Sequence, residues 1–147
     1  MALPTGAGTE TLHSHLYEDV DASQNLIVGV QHHVYTVLSV IVWCEVLNAT
    51  TDFGYLRMIG YDNHNGASAQ EVFMARFNIQ VGETYVWNDK FSFNGYEPTG
   101  TDVFSTAAHA TANAAQAGSV AQIFQFSQSS TVDDYHVVVT YIDQNNE

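Results

Sequence analysis

Basic residues are almost missing from this chain. Sixteen acidic residues stand against three basic ones, Arg57, Arg76 and Lys90, giving a formal net charge of −13 over 147 residues. A surface of that sign repels phosphate backbones and anionic bilayers, which argues against nucleic-acid and membrane partners. Charged residues of both signs reach only 13%, so the polar surface must be built from Ser, Thr, Asn, Gln and His. A lysine-poor surface of this kind suits an extracellular or virion protein. Cysteine is reduced to Cys44, which excludes an intrachain disulfide. Cys44 lies inside an apolar run, where a free thiol packs as a small hydrophobe. The first residues, MALPTGAGTE, carry no basic region and no apolar stretch of signal length. The expectation is a protein not exported by that route, reaching the outside only through lysis. There is no GxGxxG, no P-loop and no nucleophile elbow.

What is present is apolar and aromatic. Residues of these types make up 46% of the chain, with eight Tyr, eight Phe and two Trp, so the sequence is not that of a disordered segment. Its longest uninterrupted feature is Val34 to Leu47, VYTVLSVIVWCEVL, in which only Glu45 is charged. The run is shorter than the roughly 20 residues a membrane helix needs. It has no polar stripe of helical period, and β-branched and aromatic residues fill it. It reads as a central β-strand buried on both faces over Val37 to Trp43, covered by a second sheet or another subunit.

The rest of the chain follows the same pattern. Thr11 to Val20 alternates Leu12, Ser14 and Leu16 against His13, His15 and Tyr17, as a short strand or an arm lying on a neighbour. Leu26 to Val30 is a second strand. Phe53 to Tyr61 sets Phe53, Tyr55, Arg57, Ile59 and Tyr61 on one face. Asp62 to Gln70 reads as a polar loop, and Val72 to Ile79 as a strand with Phe73, Ala75, Phe77 and Ile79 inward. Tyr85/Trp87 and Phe91/Phe93 alternate around Asn88-Asp89. Asn94 to Thr101 is a loop, Val103 to Ser105 a strand start, and Thr106 to Ser119 an irregular excursion. Val120 to Phe126 and Tyr135 to Ile142 close the series. About eight short strands between polar turns predict an all-β fold, an antiparallel β-sandwich of jelly-roll type. The expected organisation is an extended N-terminal arm over 1–20 and a single sandwich domain over 21–147.

Several constellations could carry chemistry. His13-x-His15-x-x-Glu18 has the look of a cupin metal box, since histidines two apart on a strand face the same way. Its terminal position and the lack of a second box point instead to a polar arm or a subunit contact. His32 and His33 are adjacent and so face opposite ways on a strand, which fits a cap or an interface. His13, His15, Tyr17, His32 and His33 are therefore expected at an interface. Asp62-Asn63-His64-Asn65-Gly66 faintly resembles a calcium loop, but His64 stands where an oxygen ligand is needed and no acidic residue closes it at the twelfth position, so it reads as a turn. Asp133-Asp134-Tyr135-His136 offers acid and base groups without a nucleophile. No catalytic residue, cofactor or metal site is expected, and the chain reads as something other than an enzyme.

Four segments carry a resemblance: Leu38 to Thr50 (LSVIVWCEVLNAT), Val81 to Asp89 (VGETYVWND), Gly100 to Phe104 (GTDVF) and His136 to Ile142 (HVVVTYI). In order, they resemble small all-β virion proteins of tailed phages, of the capsid decoration or cement type. The similarity runs from Val34 onward and departs at Thr106 to Ser119, which is longer than the turn such a protein would carry. The resemblance implies a homotrimer seated on the major capsid protein at the virion surface, stabilising the shell. The competing reading is a receptor- or glycan-binding β-sandwich of a neck, tail or spike, with Tyr55, Trp87 or Tyr96 stacking on sugar rings. A third, a metal-dependent cupin-like enzyme, would rest on His13 and His15.

Overall fold

A computed structural model describes residues 8–62, 67–96 and 121–146. Nine strands follow one another: β1 (Thr9–Val20), β2 (Gln24–Val28), β3 (His33–Val46), β4 (Gly54–Asp62), β5 (Ala67–Phe77), β6 (Thr84–Trp87), β7 (Phe91–Asn94), β8 (Ile123–Gln128) and β9 (Asp134–Asn145). Among the described residues there is no helix. The strands form two antiparallel sheets. One has the order β1-β9-β3-β6 with β7 also on β3, and the other β2-β8-β4-β5. The fold is an all-β sandwich.

β6 and β7 lie end to end along the same edge of β3. Trp87 to Thr84 pairs with Val40 to Trp43, and Asn94 to Phe91 with Val34 to Val37. They are one edge strand interrupted at Asn88 to Lys90, where Trp87 Nε1 donates to the Asp89 carbonyl at 2.9 Å. Counted as one, they leave eight strands, and the path through the two sheets is that of a jelly roll.

The core is the space between the sheets. From the five-stranded sheet Tyr35, Val37, Val40, Val42, Cys44, Tyr135, Val137 and Val139 point inward. Leu56, Phe77, Phe124 and Phe126 meet them from the other. Aromatic contacts stitch the layers together: Phe77 stacks on Tyr85 with centroids 4.2 Å apart, and Phe91 meets Phe124, and Phe126 meets Tyr135, edge-on at 5.2 Å. Burying a Phe of this kind stabilises the fold by about 3 kcal/mol.

Two expectations about faces need correction. β3 is the central strand, but only one of its faces is covered. Tyr35, Val37, Val40, Val42 and Cys44 are buried, while Ile41 and Trp43 are exposed. A two-layer sandwich has one interior, so each sheet keeps an outer side. The strand hidden on both sides is β8, where Phe124 and Phe126 face the core and Gln125 and Ser127 are also buried. Its outer polar groups are satisfied by Asn25, Arg57 and Ser23 at 2.6 to 2.8 Å. The second correction is Phe73, which points outward. A bulge in the β4–β5 pairing takes Leu56↔Ala75 directly to Arg57↔Phe73. One extra residue moves the side chains beyond it to the opposite face.

Thr9 to Val20 is a twelve-residue edge strand lying on β9 of its own chain, with register from Thr9↔Asn145 to Val20↔Tyr135. β5 begins at Ala67, so part of the loop read over Asp62 to Gln70 is strand. The arm before Gly8, the Asn63 to Gly66 turn, most of the Asn94 to Thr101 loop, the Val103 to Ser105 strand start, the Thr106 to Ser119 excursion and Val120 lie outside the described residues.

Candidate functional site

The centre of the outer face of the five-stranded sheet is a continuous exposed surface without formal charge. Its composition follows from register. Leu16 of β1 lies opposite Val138 of β9, Val138 opposite Ile41 of β3, and Ile41 opposite Val86 of β6. Four apolar side chains thus form one row across four strands. Beyond a hydroxyl row of Ser14, Thr140 and Ser39, the following row on one side is Leu12, Ile142, Thr36 and Ser92. On the other side Trp43 sits between His136 and Thr84. Exposure is high: Leu12 69%, Leu16 58%, Val86 53%, Ile41 40% and Trp43 39%. Neutral hydroxyl pairs fill the gaps, with Ser14 Oγ and Thr140 Oγ1 at 3.2 Å and Thr36 Oγ1 and Ser92 Oγ at 2.8 Å. From strand spacing and rise, the field measures roughly 20 Å by 23 Å, about 450 Å². That is within the range of the largest apolar patch on an ordinary soluble monomer, a patch that is often functional.

Charge gathers at one end of this field. Asp19 from the β1 bulge, Glu45 from the end of β3, and Asp134 and His136 from β9 bring ligand-type atoms within 4.8 Å of one another. His136 Nε2 donates to Glu45 Oε2 at 2.7 Å and lies 3.6 Å from Asp19 Oδ1. Its ring meets the Trp43 indole edge-on at 5.2 Å. The Glu45 hydrogen bond, with the charges of Glu45, Asp19 and Asp134, raises the His136 pKa against the opposing effect of burial. Burial, with Asp19 and Glu45 nearby, raises that of Asp134. Among the described residues, these four bring ligand-type atoms close enough together to hold a cation, and His136 is tied into the group by its contact with the Glu45 carboxylate.

The residues expected at an interface fall into two groups. His13, His15 and Tyr17 share the opposite face of β1, at the margin of the sandwich interior. His13 and His15 stack on Tyr141 at 5.2 and 5.9 Å, and Tyr17 donates to the Leu26 carbonyl at 3.2 Å. Burial raises the pKa of both Tyr17 and Tyr141. They close the edge of the core, and Glu18 does not join the two histidines in a common set of donors. His32 lies in the turn that leads into His33, the first residue of β3. His33 N donates to the Val30 carbonyl at 3.1 Å, and His32 takes a positive φ of 67° at its corner, a conformation His adopts more readily than most residues. His33 Nδ1 donates to Asp143 Oδ1 at 2.6 Å, tying β3 to β9. Cys44 is fully buried, and burial first, then Asp133 and Glu83, pushes its thiol pKa up to about 11, which makes it inert.

The outer apolar row was legible in the alternation of Leu12, Ser14 and Leu16, but its cross-strand alignment depends on pairings that a single sequence does not display. The four-residue charge cluster draws on three strands, and only Asp134 and His136 were visible together.

No family model matches the chain, and no curated protein matches it. Among solved structures, a chain from work described as "Bacillus endospore appendages form a novel family of disulfide-linked pili" aligns over 100% of this chain and 96% of that chain, at 5% identity and a TM-score of 0.41. A likeness at that level carries no argument about what this chain does.

Proposed function

We propose that this chain is a structural virion protein of the capsid decoration type, a homotrimer that docks on the major capsid protein and stabilises the shell. The observation that carries the proposal is the uncharged centre of the outer face of the five-stranded sheet, around the row Leu16, Val138, Ile41 and Val86, with the Glu45–His136 cluster confined to one end. Depletion of charge, more than bulk hydrophobicity, marks the centre of a protein interface. A chain with sixteen acids and three bases that leaves Leu16, Val138, Ile41 and Val86 in one unbroken row has the neutral surface that docking needs. The area also decides the mode of use. About 450 Å² is near half the roughly 800 Å² that each partner contributes to a standard interface. One contact is therefore weak, and stable attachment requires many copies on a repeating lattice. The acidic remainder would face solvent and keep particles apart. Jelly rolls are common in viral capsid domains, a fold-level analogy that agrees with the reading without carrying it.

The test is rebinding to capsids of the phage that encodes the chain. Wild-type protein is expected to co-sediment with shells stripped of it, at a copy number on the order of the capsid protein's own, and to restore their heat resistance. A Leu16→Glu, Val86→Glu double variant places two charges in the row at exposed positions and is expected to lose binding by at least about tenfold. Val132→Glu, on an exposed turn elsewhere, is expected to bind normally. Wild-type protein that never sediments with shells, or a double variant that binds as tightly, overturns the proposal.

A further inference from the structure

The outer face of the four-stranded sheet differs from that of the five-stranded one. It holds two of the three basic residues, and both lie over aromatic rings. Arg57 lies 5.5 Å from the centroid of Tyr55, and Arg76 lies 3.5 Å from that of Phe53. Arg57 is committed within the protein, with Nε donating to Gln125 Oε1 at 2.6 Å and Nη1 paired with Glu71 at 3.1 Å. Arg76 is exposed, and no described carboxylate pairs with it. Phe53, Tyr55, Phe73 and Arg76 line a cleft of about 370 Å³, within the size range of small-ligand sites.

We infer that this cleft binds a pyranose bearing a carboxylate, such as a uronic or sialic acid residue of a glycan. Three features select that class. First, stacking on Phe53 fixes the plane of the Arg76 guanidinium but uses only its face. Its N–H donors lie in the plane and remain free for a carboxylate, which they match in a bidentate fork. Second, the walls form a bowl rather than a slot. The Phe53 and Tyr55 rings are tilted by 41° and those of Tyr55 and Phe73 by 74°. Rings set at angles offer several apolar faces at once, which the C–H groups of a puckered sugar ring can meet from more than one side. Third, the charge balance limits the ligand. One free guanidinium in a chain of net charge −13 can offset a single carboxylate, while a phosphate dianion would meet uncompensated repulsion. Phe73, 60% exposed, stands at the rim because of the bulge that turns it outward. Without that bulge the bowl would lack a wall.

This site is on the opposite face of the sandwich from the docking surface proposed above. The two readings are independent, and each can fail alone.

The experiment is an NMR titration of the full chain with oligogalacturonate and sialyllactose, and with lactose as the neutral control. Millimolar binding of either acidic glycan is expected, with shift changes centred on Phe53, Tyr55, Phe73 and Arg76 and little response to lactose. Arg76→Gln and Phe73→Ser both replace exposed side chains and are expected to fold normally. Each is expected to weaken binding by about tenfold. Lys90→Gln removes a charge outside the cleft and is expected to change nothing. Equal binding of lactose, full affinity in Arg76→Gln, or no response to either acidic glycan overturns the inference. So do shifts at these four residues that follow protein concentration alone, which would make the cleft a self-contact.

Discussion

At the scale of single residues, the chemistry concentrates on His136. Its pKa lies above its ordinary value of 6.5, raised first by the Glu45 hydrogen bond and further by the charges of Glu45, Asp19 and Asp134. A histidine whose pKa is raised by folding adds stability that is complete below its unfolded pKa and disappears as the pH climbs through the folded one. Asp134 and the fully buried Asp133 also have raised pKa values, mainly through burial, so they too favour the fold as the pH falls. The urea midpoint is therefore expected to drop as the pH rises above 6.5, and His136→Gln is expected to flatten that part of the curve. An unchanged profile in the variant would remove His136 from the account. At this scale, the sequence was informative about what sits in an apolar run and silent about partners brought from afar. Cys44 is inert where its surroundings predict it. Tyr55 and Arg57 share a face as the alternation of β4 says. The meeting of Glu45 with His136 depends on a β3–β9 register that no local pattern encodes.

At the scale of elements, strands were legible wherever the hydrophobic period held. β3, β6, β7 and β9 fall within a few residues of where Val34 to Leu47, Tyr85/Trp87, Phe91/Phe93 and Tyr135 to Ile142 place them. The failures have two physical causes. A bulge breaks the period without changing composition, which is how Phe73 came to be read as inward. Burial on the second face of β8 is achieved by polar side chains, Gln125 and Ser127, which look solvent-facing in sequence. Close backbone approach is a third hidden feature. A Cβ on Gly29 would collide with the backbone of Gly95, and one on Gly95 with the backbone of Val30. Here the β2 end meets the segment after β7, with Gly29 N donating to Gln122 O at 2.9 Å and Gln122 N to Gly95 O at 2.8 Å. Backbone cannot rotate away as a side chain can. Gly29→Ala is expected to destabilise by about 3 kcal/mol. Gly82→Ala, whose only strain is a positive φ of 86° in open space, is expected to cost about 1 kcal/mol. Thermal or urea unfolding of the two variants gives the comparison, and equal losses would refute the close-approach argument.

At the scale of the molecule, charge opposes the fold. Sixteen acids against three bases repel one another across a single small domain. Raising the ionic strength from 0.01 M to 0.15 M shortens the screening length from about 30 Å to about 8 Å. The melting temperature is expected to rise on the order of 3 °C, read by calorimetry at the two salt concentrations. A fall would mean that attractive pairs dominate instead. The same imbalance gives the two outer faces their separate characters, one neutral and broad, the other narrow and holding the free guanidinium of Arg76.

The pairing of β1 with β9 sets the schedule on which this protein can form. Thr9 aligns with Asn145, so β1 must wait for β9, far along the chain, before it is paired. Closure between such distant segments belongs to the slow end of small-domain folding, from milliseconds to seconds. During that delay Leu12 and Leu16 stand on an open edge. A nascent copy is then most exposed to pairing with a neighbouring copy, and rapid, crowded synthesis is the condition under which it would misassemble.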